Sequence, residues 1–312
     1  MIAVTFLGAG GPEVMSVGER PDPVPLPSEV LVRVTHAGLN PADLIQRAGN
    51  YPAPPGSPAD IPGLEVAGTV IACGESVTTW RAGDRVFGLV GGGGLSDTVA
   101  VHERHVARVP DNLTDREAAA VPEAFITAHD AVFTRAGLAM GETLLVNGAS
   151  GGVGTAAVQL GAATGARVLA NSRSHSDALV DLGAEPCPLS EARGVDVVLE
   201  LVGAANLQAS LEALAVRGRI IVVGTGAGAD AEISLRALMG RRASLMGTVL
   251  RARHMEEKAA AVQVFARSVV PQIASGRVRP VIDRVFPVAE AAAAFDHLAA
   301  PGKLGKVLLE LA

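Results

Sequence analysis

The chain has 312 residues, 49% of them hydrophobic and 19% charged, with a formal net charge of -6. That is too long for one ordinary domain and comfortable for two, with apolar material for two cores. The acidic balance speaks against a nucleic-acid partner, which would need a basic face, and the only cysteines, Cys73 and Cys187, make neither a CxxC pair nor a disulfide framework. The opening "MIAVTFLGAGGPEV" lacks a basic stretch followed by an apolar core, and no window of about 18 apolar residues runs without a charge, Gly or Pro. No membrane span is expected, and the cytoplasm is the expected location.

The N-terminal part reads as β-rich. "EVLVRVTHAGL" (Glu29 to Leu39), "EVAGTVIACG" (Glu65 to Gly74) and "DRVFGLV" (Asp84 to Val90) are predicted strands, separated by Gly, Pro and Asp turns. From Leu113 to Leu138 the periodicity becomes helical, and Thr114 followed by Glu117 fits a capping box. Strands and helices then alternate. "TLLVN", "RVLANS", "VDVVLELVG" and "RIIVVG" are predicted strands, and "GVGTAAVQLGAATGA", "SDALVDLGA" and "NLQASLEALAVRG" predicted helices. Such alternation implies a parallel sheet with right-handed crossovers. Near the C-terminus, "VIDRVFPV" and "GKVLLEL" are predicted strands around the helix "AEAAAAFDHLAA".

The turn between "TLLVN" and the next helix, "GASGGVG", holds four glycines in seven residues. It fits the Gly-x-Gly-x-x-Gly dinucleotide fingerprint with Ala149 at the first position, followed by Ser150, Gly151, Gly152, Val153 and Gly154. Gly151 would let the backbone approach a pyrophosphate, and Gly154 would let the helix pack on the strand. The helix start offers free N–H groups and a positive dipole end. The end of the next strand selects the nucleotide. NAD binders place an acid there for the ribose hydroxyl, whereas this chain reads Asn171, Ser172, Arg173. Two hydroxyl-bearing serines and a guanidinium suit a 2′-phosphate, so NADP(H) is the expected cofactor.

The motifs "GLNPADLIQRAGNYP", "IPGLEVAGTV", "GDRVFGL", "FITAHDAV", "NGASGGVGTAAVQL" and "GKVLLEL" occur in this order over nearly the whole chain. With them the chain resembles the medium-chain dehydrogenase/reductase superfamily, in its zinc-lacking quinone oxidoreductase branch. "GTVLRARHMEEKAAAVQVFARSVVPQIASGRVRPVIDRVFPV" is similar to the tumour-suppressor-inducible type within that branch. The resemblance implies an α/β fold, a Rossmann-type parallel-sheet nucleotide domain plus a β-rich GroES-like catalytic domain. The expected division gives residues 1–117 and 264–312 to the GroES-like domain and 118–263 to the nucleotide domain. Zinc-dependent relatives carry a Cys at the position of Asn40, a His at that of Leu64 and a third ligand near Glu123. Neither Asn nor Leu suits zinc, and His102 and His105 lack a third partner, so no metal is expected.

By the same resemblance, Asn40 lies beside the nicotinamide and substrate, and Tyr51 hydrogen-bonds a quinone oxygen at the cleft. Asp43 is read as an orienting group or a helix-start residue; these three make up the expected catalytic set. Thr127 contacts the nicotinamide end. Gly148 belongs with the glycine turn, and Leu201, Val202, Val223, Gly224 and Thr225 end successive strands, where this fold binds its ligand. Thr248, Val249, Leu250 and Lys306 are expected to close over the nicotinamide side. Glu65 and Asp84 are read as structural, His129 as a core histidine, and Arg251 and Arg253 as surface charges. Without a Lewis acid, the expected reaction is hydride transfer from NADPH to a small quinone. An enone or enoyl acceptor is the alternative, and a non-catalytic NADPH-binding protein the alternative of another class. A homodimer, paired through an edge strand around "ISLRALMGRRASLMG", is expected by analogy.

Overall fold

The segment Glu29–Val34 buries Val30, Val32 and Val34 and exposes Arg33 between them. This is the period-two pattern of a strand with one face on a core. In the computed structural model, which describes residues 1–311, it sits in a five-stranded antiparallel sheet. The order is Thr98–His102, Glu29–Val34, Glu65–Cys73, Arg85–Leu89, Val106–Arg108. The predicted strand from Glu29 to Leu39 breaks at Thr35. Its second half, His36–Leu39, joins a different sheet with Lys306–Glu310 and Ile282–Pro287. Lys306–Glu310 runs antiparallel to His36–Leu39, Val307 opposite Leu39 and Glu310 opposite His36. A core of Val30, Val32, Val66, Val86, Phe295 and Leu309 fills the space between these elements.

These elements form a compact unit of Met1–Ile126, Leu250–Gly276 and Pro280–Ala312; Thr127–Val249 and Arg277–Arg279 form a second. The division differs from the one drawn on the sequence at 118 and 263, because the helix Met255–Ser268 packs into the first unit. Its Phe265 ring lies 5.5 Å from Phe87, its Glu256 pairs with Arg104 at 2.7 Å, and Met255 O meets His105 Nε2 at 3.0 Å. The predicted capping box forms: Thr114 Oγ1 accepts from Glu117 N at 3.2 Å and Glu117 Oε2 accepts from Thr114 N at 2.9 Å.

The second unit carries a six-stranded, wholly parallel sheet. Its order is Glu185–Pro186, Arg167–Asn171, Thr143–Asn147, Val195–Glu200, Leu214–Val222, Ser244–Gly247. From Thr143–Asn147 the chain first winds to one side, then returns to continue on the other side at Val195–Glu200. The switch point therefore lies between those two strands, and in open parallel sheets the ligand crevice opens there, at the carboxyl ends. The helix predicted over "NLQASLEALAVRG" is shorter than expected, Ala204–Ala213. The strand after it starts at the fully buried Leu214, and an irregularity against Val195 and Val197 takes up the extra residues. Among the described residues no helix is long and apolar enough to cross a membrane.

Candidate functional site

In the first unit, Asn40, Asp43, Glu65 and Lys306 meet in one buried polar network, each no more than 6% exposed. Asn40 ends the strand His36–Leu39 and precedes the helix Pro41–Arg47, whose Pro41 needs no N–H partner. Its backbone N donates to Asp43 Oδ2 at 2.8 Å, and Gly63 N donates to Asp43 Oδ1 at 3.1 Å. Asp43 thus ties the helix start to the loop before Leu64. Burial pushes its carboxyl up to about 6, against the opposing pull of those two amides and of Lys306.

Glu65 is the hub. Its Oε1 accepts from Asn40 Nδ2 at 2.9 Å and Lys306 Nζ at 2.7 Å, and its Oε2 accepts from Glu123 N at 2.8 Å. Lys306 Nζ also donates to Asn40 Oδ1 at 2.6 Å and Leu39 O at 2.9 Å, so all three of its protons are placed. The carboxylate reaches this depth because residue 38 is glycine: a Cβ there would lie 2.1 Å from Glu65 Oε1. Glu65, read from the sequence as structural, is the hub of this network, and Lys306 acts inside it with Asn40.

Arg251, read from the sequence as a surface charge, is 5% exposed. Its Nε donates to Gly91 O at 2.8 Å, Nη1 to Tyr51 O at 2.9 Å and Nη2 to Gln46 Oε1 at 2.7 Å. Its guanidinium carbon lies 4.9 Å from the centre of the half-buried Tyr51 ring, a cation–π contact. One side chain thereby fixes two loops, the helix Pro41–Arg47 and the angle of Tyr51. Lys258 Nζ donates to Arg251 O at 3.1 Å and secures the clamp from behind. An isolated Arg code gives no sign of such a role, because the partners of Arg251 lie 160 to 205 residues away.

In the second unit the glycine turn has the expected shape. A Cβ on Gly154 would lie 2.4 Å from Gly148 O and 2.6 Å from Ala149 O, so the helix Gly152–Ala163 can seat on the strand end only with glycine there. A Cβ on Gly151 would have no neighbour nearer than 3.6 Å, which leaves that face open. Gly148 N and Ala149 N both donate to Asn171 O, at 3.0 and 3.3 Å, and so hold the turn to the next strand. Gly152 and Val153, in the first turn, have no acceptor inside the helix, and no side chain caps that end. Together with half-buried Ser150 they suit an anion. A buried chain of bonds holds the strand ends. Asn171 Nδ2 donates to Asn147 Oδ1 at 2.9 Å, and Asn147 Nδ2 to Glu200 Oε2 at 2.6 Å. Glu200 Oε1 accepts from Val202 N and Gly203 N at 2.8 and 2.9 Å.

Beyond the strand ends, Arg173 is exposed and Ser172 Oγ donates to Ser174 O at 2.9 Å. Leu201, Val202, Val223 and Gly224 are half-buried at the carboxyl ends, with Thr225 exposed beside them. Thr248 Oγ1 donates to Asp130 Oδ2 at 3.3 Å, with Val249 exposed next to it; Leu250, buried, belongs to the first unit. Thr127 Oγ1 is buried with no hydrogen-bond partner. An orphaned hydroxyl, an open Gly151 and an uncapped helix start are the features a bound dinucleotide would complete. Of the remaining sequence-marked residues, Asp84 caps its turn through Arg81 N and Arg108, at 3.0 and 3.1 Å. The His129 ring stacks on Phe133.

Two family models match the chain: the alcohol dehydrogenase GroES-like domain over residues 26–111 and a zinc-binding dehydrogenase domain over residues 164–309. The quinone oxidoreductase of Lama guanicoe is 33% identical over 329 residues, covering 100% of this chain and 98% of its own. The crystal structure of Escherichia coli quinone oxidoreductase complexed with NADPH superposes with a TM-score of 0.88. It is 25% identical and covers 99% of this chain and 100% of its own. That of CurK enoyl reductase gives 0.87 at 26% identity, covering 100% and 99%. Asn40 and Leu64 stand where the resemblance puts zinc ligands in zinc-dependent relatives. Asn40 has its amide taken by Glu65 and Lys306, and Leu64 is a buried hydrocarbon. Among the described residues no group of three or more His, Cys, Asp or Glu is placed to hold a metal ion.

Proposed function

The chain belongs to the medium-chain dehydrogenase/reductase family, in its quinone oxidoreductase branch, and on that basis we propose that this oxidoreductase passes hydride from NADPH to a small quinone without a metal ion. The observation that carries the reading is the Lys306 ammonium, bonded to Asn40 Oδ1, Glu65 Oε1 and Leu39 O. A lysine already supplies the positive charge that Glu65 requires. With Asn40 committed to the same network and Leu64 a hydrocarbon, these positions leave no donor set for a Lewis-acidic cation. An alcohol has then no group to polarise it, and the acceptor must be electrophilic by itself, as a quinone is. Bound reduced nicotinamide would supply the hydride, and the protein's part is alignment and charge placement.

In this reading the second unit holds the dinucleotide. Ser150, Gly152 and Val153 receive the pyrophosphate, and Asn171, Ser172 and Arg173 the 2′-phosphate. The first unit holds the acceptor, with the Tyr51 ring set by Arg251 and Asn40 set by Glu65 and Lys306. The reduced thiols of Cys73 and Cys187 fit a cytoplasmic setting. The homodimer would form through the sheet-edge strand Ser244–Gly247, beside which Leu235, Met239 and Leu245 are exposed. The likeness to a solved enoyl reductase favours a second acceptor class, an α,β-unsaturated thioester or ketone.

The test is oxidation of NADPH, followed at its absorbance band, with 1,4-benzoquinone and with an enoyl thioester in parallel. Faster turnover of the quinone supports the reading; turnover of the thioester alone replaces it with the second. Arg173→Ala is expected to weaken NADPH binding roughly ten- to a hundredfold, the loss of about 1.5–3 kcal/mol from a charge-assisted hydrogen bond, and to leave NADH binding unchanged. Fluorescence titration with both nucleotides checks it. Equal weakening of both would remove the 2′-phosphate assignment.

A further inference from the structure

Glu200 is a fully buried carboxylate that the nucleotide reading leaves without a task. It ends the strand Val195–Glu200 and stands in register with Asn147, which in turn stands in register with Asn171. The three residues therefore form one row across the carboxyl ends of three neighbouring strands, where a parallel sheet opens its ligand crevice. Asn147 and Ser210, at the inner end of the row, are fully buried, and Asn171, at the outer end, is half-buried.

The hydrogen bonds of this row have a direction, and Glu200 sets it. Val202 N and Gly203 N both donate to Glu200 Oε1, at 2.8 and 2.9 Å, which pins that oxygen. Glu200 Oε2 accepts from Asn147 Nδ2 at 2.6 Å and from the Ser210 hydroxyl at 3.4 Å. A carboxylate can only accept. Asn147 must therefore turn its Nδ2 inward, where it also donates to Ser210 Oγ at 2.9 Å, and its Oδ1 toward Asn171. Asn171 must then give its Nδ2 to Asn147 Oδ1, at 2.9 Å. Its own Oδ1 is left at the end of the row, with no hydrogen-bond partner among the described residues. The Asn171 carbonyl accepts from Gly148 N and Ala149 N, so the residue that offers this oxygen is tied to the glycine turn.

We propose that Asn171 accepts a hydrogen bond from the adenosine ribose of the dinucleotide, and that Glu200 is the positioning residue that gives it this polarity through Asn147. The proposal rests on the NADPH reading above and narrows it. In NADPH the 2′ oxygen of that ribose is esterified, so the one donor left on the ring is the 3′-hydroxyl. That hydroxyl is the partner of Asn171, and the 2′-phosphate falls to Arg173. Dinucleotide folds that bind NAD place a carboxylate directly on the ribose. Here the carboxylate stands two strands away, and two amides carry its acceptor character outward without its charge. A carboxylate at position 171 would repel a 2′-phosphate, whereas a neutral amide oxygen serves the hydroxyl beside it.

The pinned Oε1 makes Glu200→Gln an inversion rather than a deletion. Val202 N and Gly203 N still require an oxygen, so the glutamine nitrogen takes the place of Oε2 and donates to Asn147. Asn147 then turns over, and so does Asn171, whose Nδ2 comes to face outward.

The test is calorimetric titration of the full chain with adenosine 5′-monophosphate, adenosine 2′,5′-bisphosphate and 3′-deoxyadenosine 2′,5′-bisphosphate. The wild type is expected to bind the 3′-deoxy compound roughly tenfold more weakly than the parent bisphosphate, the loss of one hydrogen bond. Glu200→Gln is expected to raise the preference for the bisphosphate over the monophosphate about tenfold, because an N–H then faces the phosphate. A Glu200 that served folding alone would weaken both parent fragments equally when replaced. Equal binding of the bisphosphate and its 3′-deoxy analogue by the wild type overturns the proposal, and that result needs no variant to fold. So does a preference left unchanged by Glu200→Gln. A wild type that prefers the monophosphate to the bisphosphate fails the NADPH reading instead, and the two parent fragments alone tell that failure apart.

Discussion

Lys306→Met is expected to lower the stability of the first unit by roughly 3–5 kcal/mol, the cost of stranding a buried charge. The loss is electrostatic rather than volumetric, because methionine nearly matches the aliphatic length of lysine. Without the ammonium, the Glu65 carboxylate, 1% exposed, keeps only Asn40 Nδ2 and Glu123 N as donors, and Asn40 Oδ1 and Leu39 O lose theirs. The double variant Lys306→Met with Glu65→Gln should recover most of the stability, since a neutral amide no longer needs a cation. The chain's single tryptophan, Trp80, belongs to the first unit, and its Nε1 donates to Glu103 O at 2.8 Å. Its fluorescence during guanidinium unfolding therefore reads this unit directly. A double variant no more stable than the single one would mean that the pair is not coupled.

The glycine turn carries the second large effect. Gly154→Ala places a methyl 2.4 Å from Gly148 O and 2.6 Å from Ala149 O, and both of those atoms are backbone held by the next strand. Nothing there can swing aside, so the helix start must lift. The expected result is a loss of about 1–3 kcal/mol in stability and at least a hundredfold in NADPH affinity, because the first-turn amides are displaced together. Gly151→Ala is the control. Its methyl meets nothing within 3.6 Å, so melting should be unchanged, while NADPH binding weakens through contact with the pyrophosphate. Thermal melting and nucleotide titration on the two variants separate the roles. Normal binding by Gly154→Ala would show that the turn does not hold the nucleotide.

The local parts of this architecture are legible in the sequence because they depend on near neighbours. "TLLVN" followed by "GASGGVG" specifies strand, turn and helix within a few residues, and Thr114 with Glu117 specifies a cap. The break at Thr35 is not legible, since "VRVTHAGL" keeps a strand-like composition across it. It is the pairing of His36–Leu39 with the C-terminal strand Lys306–Glu310 that takes the chain into another sheet. The extra turn of helix predicted before Gly218 fails for a related reason, because strand pairing outweighs helix propensity at Leu214. Asn40 and Tyr51 stand out through their motif. Glu65 and Arg251 acquire their roles only from partners distant in sequence. The signal that could have found Glu65 is Gly38, a glycine in a strand, which marks a close approach by another group.

The first unit is assembled from both ends of the chain, and the separation of 241 positions between Glu65 and Lys306 takes in the whole stretch Thr127–Val249. This sets an order of events during synthesis. The stretch from Thr127 to Val249 is complete, and free to close its parallel sheet, while the N-terminal strands still lack their last partner. Until residue 306 has left the ribosome, Glu65 has no cation, the strand His36–Leu39 has a bare edge, and the carboxylate stays hydrated rather than buried. On the proposed reading, the unit that would hold the dinucleotide is thus complete before the one that would hold the acceptor.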